Sequence, residues 1–267
     1  MSSPLSLLNS PAPAASGAGA RIALLGVVAV VGLLAFAGIR PTQFWILWLT
    51  SGLVALATDG LVRSHPRWED PRPVGSLAYA MLPALVVLAS GHFIEEAIDG
   101  YSRAGVAALT GVVAAVVAAI EYQSVDSGAL GYGTARLLLA VATYVTAFAA
   151  FSVVFTSGLD RALGAAAAGG VAFLLALELL RETRRLGASS LLVALAIGVS
   201  IAELRLGLYF CPLDGLLAGA LMIIGFYLAT GLVHHLLDHD LEWLTAAEYF
   251  LVAAAGSGAV IVTRLTT

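Results

Sequence analysis

The sequence predicts an all-α protein, a polytopic integral membrane helix bundle of eight or nine transmembrane helices with short loops. Hydrophobic residues make up 60% of the 267 positions and charged residues only 11%, whereas a soluble domain is closer to half apolar and a quarter charged. The mean hydropathy is +0.96. These values exclude a soluble enzyme, a disordered chain and a fibrous protein.

Nine segments have the length of about 17–25 predominantly apolar residues that a membrane-spanning helix requires. The first and the last fit this requirement least well as full spans, so the sequence leaves eight or nine helices open. Strands of a lipid-exposed barrel would alternate apolar and polar residues, and these runs do not. The predicted spans are Ile22–Ile39, Phe44–Val62, Gly75–Ile94, Ala104–Tyr122, Leu137–Ser157, Ala162–Leu180, Gly187–Leu204, Leu213–Val233 and Ala246–Thr263.

The chain divides into an extended N-terminal tail, residues 1–20, and a single transmembrane helical domain, residues 21–267. The tail is rich in Ser, Pro, Ala and Gly and has no charge before Arg21, which is untypical of a signal peptide. All 13 basic residues are arginine, and eight of them fall on the side of the N-terminus against five on the other. The positive-inside rule therefore predicts a cytoplasmic N-terminus. We expect the protein to reside in a prokaryotic cytoplasmic membrane.

A polar residue precedes each even-numbered span in a similar setting: Gln43, Asp99, Asp160 and Asp214. Two explanations are open. Transporters often contain repeated helical units, and a repeated helical hairpin would produce this regularity. Alternatively, aspartate is simply a favourable residue to cap a helix that re-enters the membrane.

The predicted membrane midplane is almost free of ionisable groups. No charged residue or histidine lies within about a turn and a half of the midpoint of any span. Proton pumps and ion-coupled carriers place their coupling groups near the midplane. Their absence argues against active transport but leaves a carrier for a neutral solute possible. The spans are rich in small residues instead, which favour close helix packing.

One candidate catalytic site closes the third span and contains His92, Glu95 and Glu96. His92, Glu96, Asp99 and Arg103 follow one another at helical spacing and form a single stripe. A histidine with carboxylates at this spacing could bind a metal or serve acid–base chemistry in a dry pocket. The alternative is a helix end in the headgroup layer, with Glu96 or Asp99 paired to Arg103.

One candidate metal site follows the eighth span, where the chain reads HHLLDHDLEWL. His235 and His239 are four residues apart, and Glu242 follows three residues later, a spacing that can hold zinc or iron. The alternative is an interfacial amphipathic helix at about 234–244, with polar residues on one face and Trp243 as its aromatic anchor. The five histidines of the chain are too few for a histidine-rich di-iron centre.

The leading functional hypothesis is a non-catalytic structural or accessory membrane subunit that packs against membrane partners or apolar cofactors. The alternatives are a membrane enzyme that acts on a lipid or amphiphile through a His/Glu site, and a carrier for a neutral solute. The question of an enzyme stays open, with the observations leaning against one. The cofactor is unknown; a divalent metal and an apolar pigment or lipid are the candidates. Membrane lipids and other membrane subunits are the expected partners. A net charge of −4 without a basic run predicts no binding of nucleic acid.

Overall fold

The structure is a computed structural model, and it describes residues 15–68, 73–181, 188–211, 213–237 and 242–266. The described residues form helices and connections without any strand, which confirms the all-α fold class. Their helices are α1 (Ala15–Gly38), α2 (Phe44–Arg63), α3 (Pro73–Ala97), α4 (Ser102–Gln123), α5 (Tyr132–Thr156), α6 (Arg161–Leu180), α7 (Ala188–Leu208), α8 (Gly215–Leu237) and α9 (Trp243–Thr266).

All nine of these described helices are long and apolar enough to cross a membrane. The protein is therefore a membrane protein, and the higher of the two expected helix counts is the one observed. The predicted bounds agree closely where a polar residue marks the helix end, as at Phe44–Arg63 and Arg161–Leu180. The largest difference is at the start, because α1 begins at Ala15, within the predicted tail. Residues 1–14 of that tail lie outside the described residues.

The first eight helices form two groups of four with the same order of neighbours. In the first group α1 packs against α2 and α4, and α3 packs against α2 and α4. In the second group α5 packs against α6 and α8, and α7 packs against α6 and α8. Contacts of α3 with α5 and α6, and of α4 with α5, join the two groups. Among the described helices α9 packs against α8 alone, at the periphery.

Glycines allow several of these helices to approach each other closely. A Cβ atom on Gly169 would lie 2.8 Å from the carbonyl oxygen of Gly198, and a Cβ on Gly198 would lie equally close to the carbonyl oxygen of Gly169. A Cβ on Gly111 would lie 2.6 Å from the backbone nitrogen of Val30. These distances are too short for any side chain, so the α6–α7 and α1–α4 contacts depend on glycine. The expected role of small residues in packing is observed here.

The polar residues before the even-numbered helices do not all act alike. Asp160 accepts a hydrogen bond from the backbone N–H of Leu163 at 2.9 Å, and Asp214 accepts one from Leu217 at 2.8 Å. Gln43, at the corresponding position before α2, makes no such side-chain bond. Capping therefore explains the regularity for α6 and α8, the two helices preceded by a capping aspartate.

Candidate functional site

Four buried charges meet at one end of the bundle and form what we call the four-charge cluster: Glu121, Arg136, Glu178 and Arg181. Arg181 donates to the Glu121 carboxylate at 2.6 Å and to the Glu178 carboxylate at 2.8 Å. Arg136 donates to the same Glu178 carboxylate at 2.9 Å and to the Glu178 backbone carbonyl at 3.1 Å. The ends of α4 and α6 are thereby tied to the start of α5.

The four-charge cluster is almost fully removed from solvent. Glu121 is 0% exposed, Glu178 is 1% exposed and Arg136 is 6% exposed. The guanidinium of Arg181 also lies 3.5 Å from the ring centroid of Tyr79 on α3, a cation–π contact. Burial opposes the charge of Arg181, but Glu121 and Glu178 together outweigh burial and raise the pKa of this arginine. The cluster contains two arginines and two glutamates, and its contacts join α4, α5 and α6.

The sequence predicts part of this cluster. The i+3 and i+4 spacing of four charged residues, Glu178, Arg181, Glu182 and Arg185, predicts a ladder of ion pairs along one helix face. The pair of Glu178 with Arg181 is present at 2.8 Å. The other two members of that predicted ladder, Glu182 and Arg185, lie outside the described residues. The pairing of Arg136 with Glu178 joins positions 42 residues apart, and no sequence signal pointed to it.

Glu95 is the centre of a second polar cluster at the opposite end of the bundle. Arg40 donates to its two oxygens at 2.8 and 3.0 Å, and Thr42 donates at 2.7 Å. Arg103 approaches the same carboxylate at 3.3 Å. The contacts tie the α1–α2 connection to the end of α3 and the start of α4. Arg103 also pairs with Asp99 at 3.4 Å, which is one of the pairings of the headgroup-layer alternative. The binding of Glu95 by two arginines was not predicted.

The other two residues of the candidate catalytic site are arranged separately. His92 bonds through Nδ1 to the Leu88 carbonyl at 3.0 Å and stacks on Phe44 with 5.2 Å between ring centroids. Glu96 is exposed. In the described structure His92 makes no hydrogen bond to Glu95 or Glu96.

The candidate metal site is described only in part. His235 lies in the last turn of α8, with its ring 5.7 Å from Tyr249 and 6.0 Å from His234. Glu242 is exposed directly before α9, and His239 lies outside the described residues. Among the described residues no group of three His, Cys, Asp or Glu side chains is placed to hold a metal ion.

The predicted interfacial amphipathic helix spans the same segment. Residues 234–237 continue α8, and residues 243–244 begin α9. Residues 238–241 lie outside the described residues. The prediction for the segment as a whole therefore stays a prediction.

His65 belongs to a third polar group, in the connection after α2. Its Nδ1 accepts the backbone N–H of Arg67 at 3.1 Å, and its ring meets the edge of Tyr122 at 4.6 Å. The Arg67 side chain pairs with Asp126 at 2.6 Å. Burial lowers the pKa of His65, although Asp126 works in the opposite direction. The contacts hold the α2–α3 connection against the α4–α5 connection.

Two open apolar grooves lie on α1 among the described residues. One, of about 440 Å³, lies between α1 and α2, with Arg21 at its rim. The other, of about 540 Å³, lies between α1 and α4 and is lined by aliphatic residues, Val27, Val31 and Val116 among them. Both fit lipid chains or another apolar molecule, and neither has the polar groups that substrate chemistry needs.

Comparison with known proteins gives one match. The family model described as a protein of unknown function (DUF5656) matches residues 20–263. No curated protein and no solved structure matches the chain.

Proposed function

We propose that this chain, which belongs to the DUF5656 family, is a non-catalytic integral membrane subunit that packs against a different membrane protein. The partner site is the outward face of α9, and the occupant is a transmembrane helix with a cationic or hydrogen-bond-donating side chain. The observation that carries the proposal is an acidic residue, Glu248, on that outward face.

The helix α9 is attached to the rest of the bundle by one side only. It packs against α8 alone among the described helices, and only 6% of its most apolar stretch is buried. Its outward stripe consists of residues at helical spacing, all of them exposed: Glu248, Leu251, Ala255, Ala259 and Val262. Small residues four positions apart, such as Ala255 and Ala259, favour close approach of a second helix.

Glu248 indicates which kind of side chain such a second helix should contribute. It follows Trp243, the first residue of α9, by five residues, which is about 7.5 Å along the helix axis. A carboxylate that faces lipid within a span is costly, and such groups pair with a partner or face the bundle interior. A two-fold pairing of α9 with its own copy would place two glutamates together, so charge complementarity favours a different protein.

The polar clusters support a structural role over catalysis or transport. The four-charge cluster binds its charges to one another, and Glu95 is bound to Arg40 and Arg103. A carrier for a neutral solute needs a polar cavity between its repeated units. The two hollows on α1 are instead apolar grooves. We further propose a cytoplasmic N-terminus, because the arginine excess lies on that side.

Site-directed photo-cross-linking in native membranes tests the proposal. The photoreactive residue benzoylphenylalanine, which reacts with C–H bonds of any neighbouring chain, is incorporated in place of Ala255. The same residue in place of Leu192 is the matched control, since Leu192 is 68% exposed on α7. We expect a cross-linked product of this chain with one different membrane protein from position 255 only, and a lower yield after Glu248→Gln. A product of two identical chains, equal products from both positions, or no product would overturn the proposal.

A further inference from the structure

Arg205 is a buried arginine that has no counterion among the residues that the structure describes. It lies on α7, three residues before the helix ends at Leu208, and it is 3% exposed. No carboxylate of the described residues lies within 4.0 Å of it, and its Nε and Nη1 atoms are buried without a hydrogen-bond partner. Burying a guanidinium costs several kcal/mol unless an anion and hydrogen bonds compensate it.

The neighbours of Arg205 lie against its guanidinium group but accept no hydrogen bond from its Nε or Nη1 atom. Its guanidinium carbon lies 4.0 Å from the centroid of the Phe155 ring. A Cβ added to Gly164 on α6 would lie 3.2 Å from its Nη2 atom, so glycine makes room for the guanidinium. Cation–π contact acts on the face of the guanidinium, whereas its N–H groups point outwards in its plane. The N–H groups therefore still require an acceptor.

A second arginine without a carboxylate partner lies next to this one. Arg161, the first residue of α6, is exposed and lies 5.2 Å from the centroid of the Tyr209 ring, while Arg205 lies 5.7 Å from the same centroid. The nearby Asp160 carboxylate caps α6 by accepting the N–H of Leu163. The two cations thus share one aromatic ring without an anion between them.

The position of this pair along the membrane normal selects the kind of anion. Arg161 begins one span and Arg205 lies about 4.5 Å from the end of the next, so both are near the surface of the bilayer. Tyr209 is 45% exposed and Phe210 is 75% exposed, as is typical of aromatic residues at the headgroup level. The phosphates of lipid headgroups lie in the polar layer next to the hydrocarbon core, and guanidinium groups bind phosphate oxygens through charge-assisted hydrogen bonds.

We propose that Arg205 and Arg161 form a binding site for the phosphodiester of a membrane phospholipid. The phosphate displaces the protein atoms that cover Nε and Nη1 of Arg205 and accepts charge-assisted hydrogen bonds from these two donors. Arg161 makes the first, exposed contact, and Tyr209 holds the two guanidinium groups side by side. The site is distinct from the α9 face and does not depend on the proposed partner.

Native mass spectrometry of the purified, delipidated full chain tests this proposal, with phosphatidylglycerol as the probe. Diacylglycerol with the same chains controls for binding of the tails, and Arg67→Gln, in the α2–α3 connection at the opposite end of the bundle, controls for general charge. We expect Arg205→Gln to weaken phosphatidylglycerol binding about tenfold or more, because charge-assisted hydrogen bonds are lost. We expect Arg161→Gln to weaken it about threefold, the effect of an exposed charge. Arg67→Gln is expected to bind like the wild type.

Three results would overturn the proposal. Equal binding by the wild type, Arg205→Gln and Arg161→Gln would remove the site. Equal binding of diacylglycerol would assign the affinity to the tails, and inorganic phosphate that binds as tightly as phosphatidylglycerol would assign the site to a soluble anion. If Arg205→Gln does not fold, the exposed Arg161→Gln decides the outcome. Arg205→Lys, which keeps the charge but loses the planar donor geometry, is expected to bind with intermediate affinity.

Discussion

Replacement of Glu178 by glutamine should destabilise the protein strongly, because this carboxylate binds two arginines in the four-charge cluster. It accepts from Arg136 at 2.9 Å and from Arg181 at 2.8 Å, and it is 1% exposed. Charge-assisted hydrogen bonds are worth about 1.5–3 kcal/mol each. Removing one partner of a buried pair costs about 3–5 kcal/mol, since the remaining charges stay buried. We therefore expect the free energy of unfolding to fall by about 3–5 kcal/mol, with Glu121 left as the single anion beside two cations.

Unfolding by SDS titration in detergent micelles measures this loss, and Glu203→Gln is the matched control. Glu203 is an exposed carboxylate on α7, so its replacement should change the free energy of unfolding by less than about 0.5 kcal/mol. The double variant Arg136→Gln with Glu178→Gln should cost at least about 1 kcal/mol less than the two single losses added together. A loss at Glu178 below about 1 kcal/mol, or equal to that at Glu203, would refute the reasoning.

Three further predictions follow from other contacts. Glu95→Gln should lower the free energy of unfolding by about 1 kcal/mol, because the carboxylate that two arginines share is partly exposed. Glu96→Gln should leave the free energy of unfolding unchanged. Equal effects of the two substitutions in SDS titration would contradict the prediction. Gly169→Ala should lower the free energy of unfolding by about 1–3 kcal/mol, because its Cβ would clash with the backbone of the facing helix. Gly170→Ala, whose Cβ would meet no atom within 4 Å, should leave the stability unchanged. Equal losses of stability in thermal unfolding would refute the contact. Burial lowers the pKa of His65, so the free energy of unfolding should fall as the pH drops below the histidine pKa of the unfolded chain, about 6.5. His65→Gln should flatten this dependence of stability on pH. An unchanged dependence would contradict the prediction.

The positions of the helices could be predicted because hydropathy and length are local properties of the sequence. The span expected at Ala162–Leu180 differs from α6 by one residue at its start. The start of α1 was missed, because a run of Ala, Gly and Ser resembles a mobile tail although alanine has the highest helix propensity. The apolar run alone does not say how far a helix extends into such a segment.

The contacts between helices could not be predicted, since hydropathy does not state which helices are neighbours. Arg136 and Glu178 are 42 residues apart, and Arg40 and Glu95 are 55 apart. The burial of Arg205 was also missed, because its position three residues from a helix end is typical of an exposed interfacial arginine. Its burial depends on Gly164 and Phe155 of two other helices.

The mass of the complex extracted from native membranes tests the central claim, a different membrane protein on α9, most directly. The chain alone has a mass of 27.4 kDa. In native mass spectrometry we expect a larger complex that contains one other polypeptide. The complex should persist in the control variant Leu192→Trp. It should be lost in the variants Ala255→Trp and Glu248→Arg. A single chain, a complex of identical chains, or a partner that stays bound in both α9 variants would contradict the account.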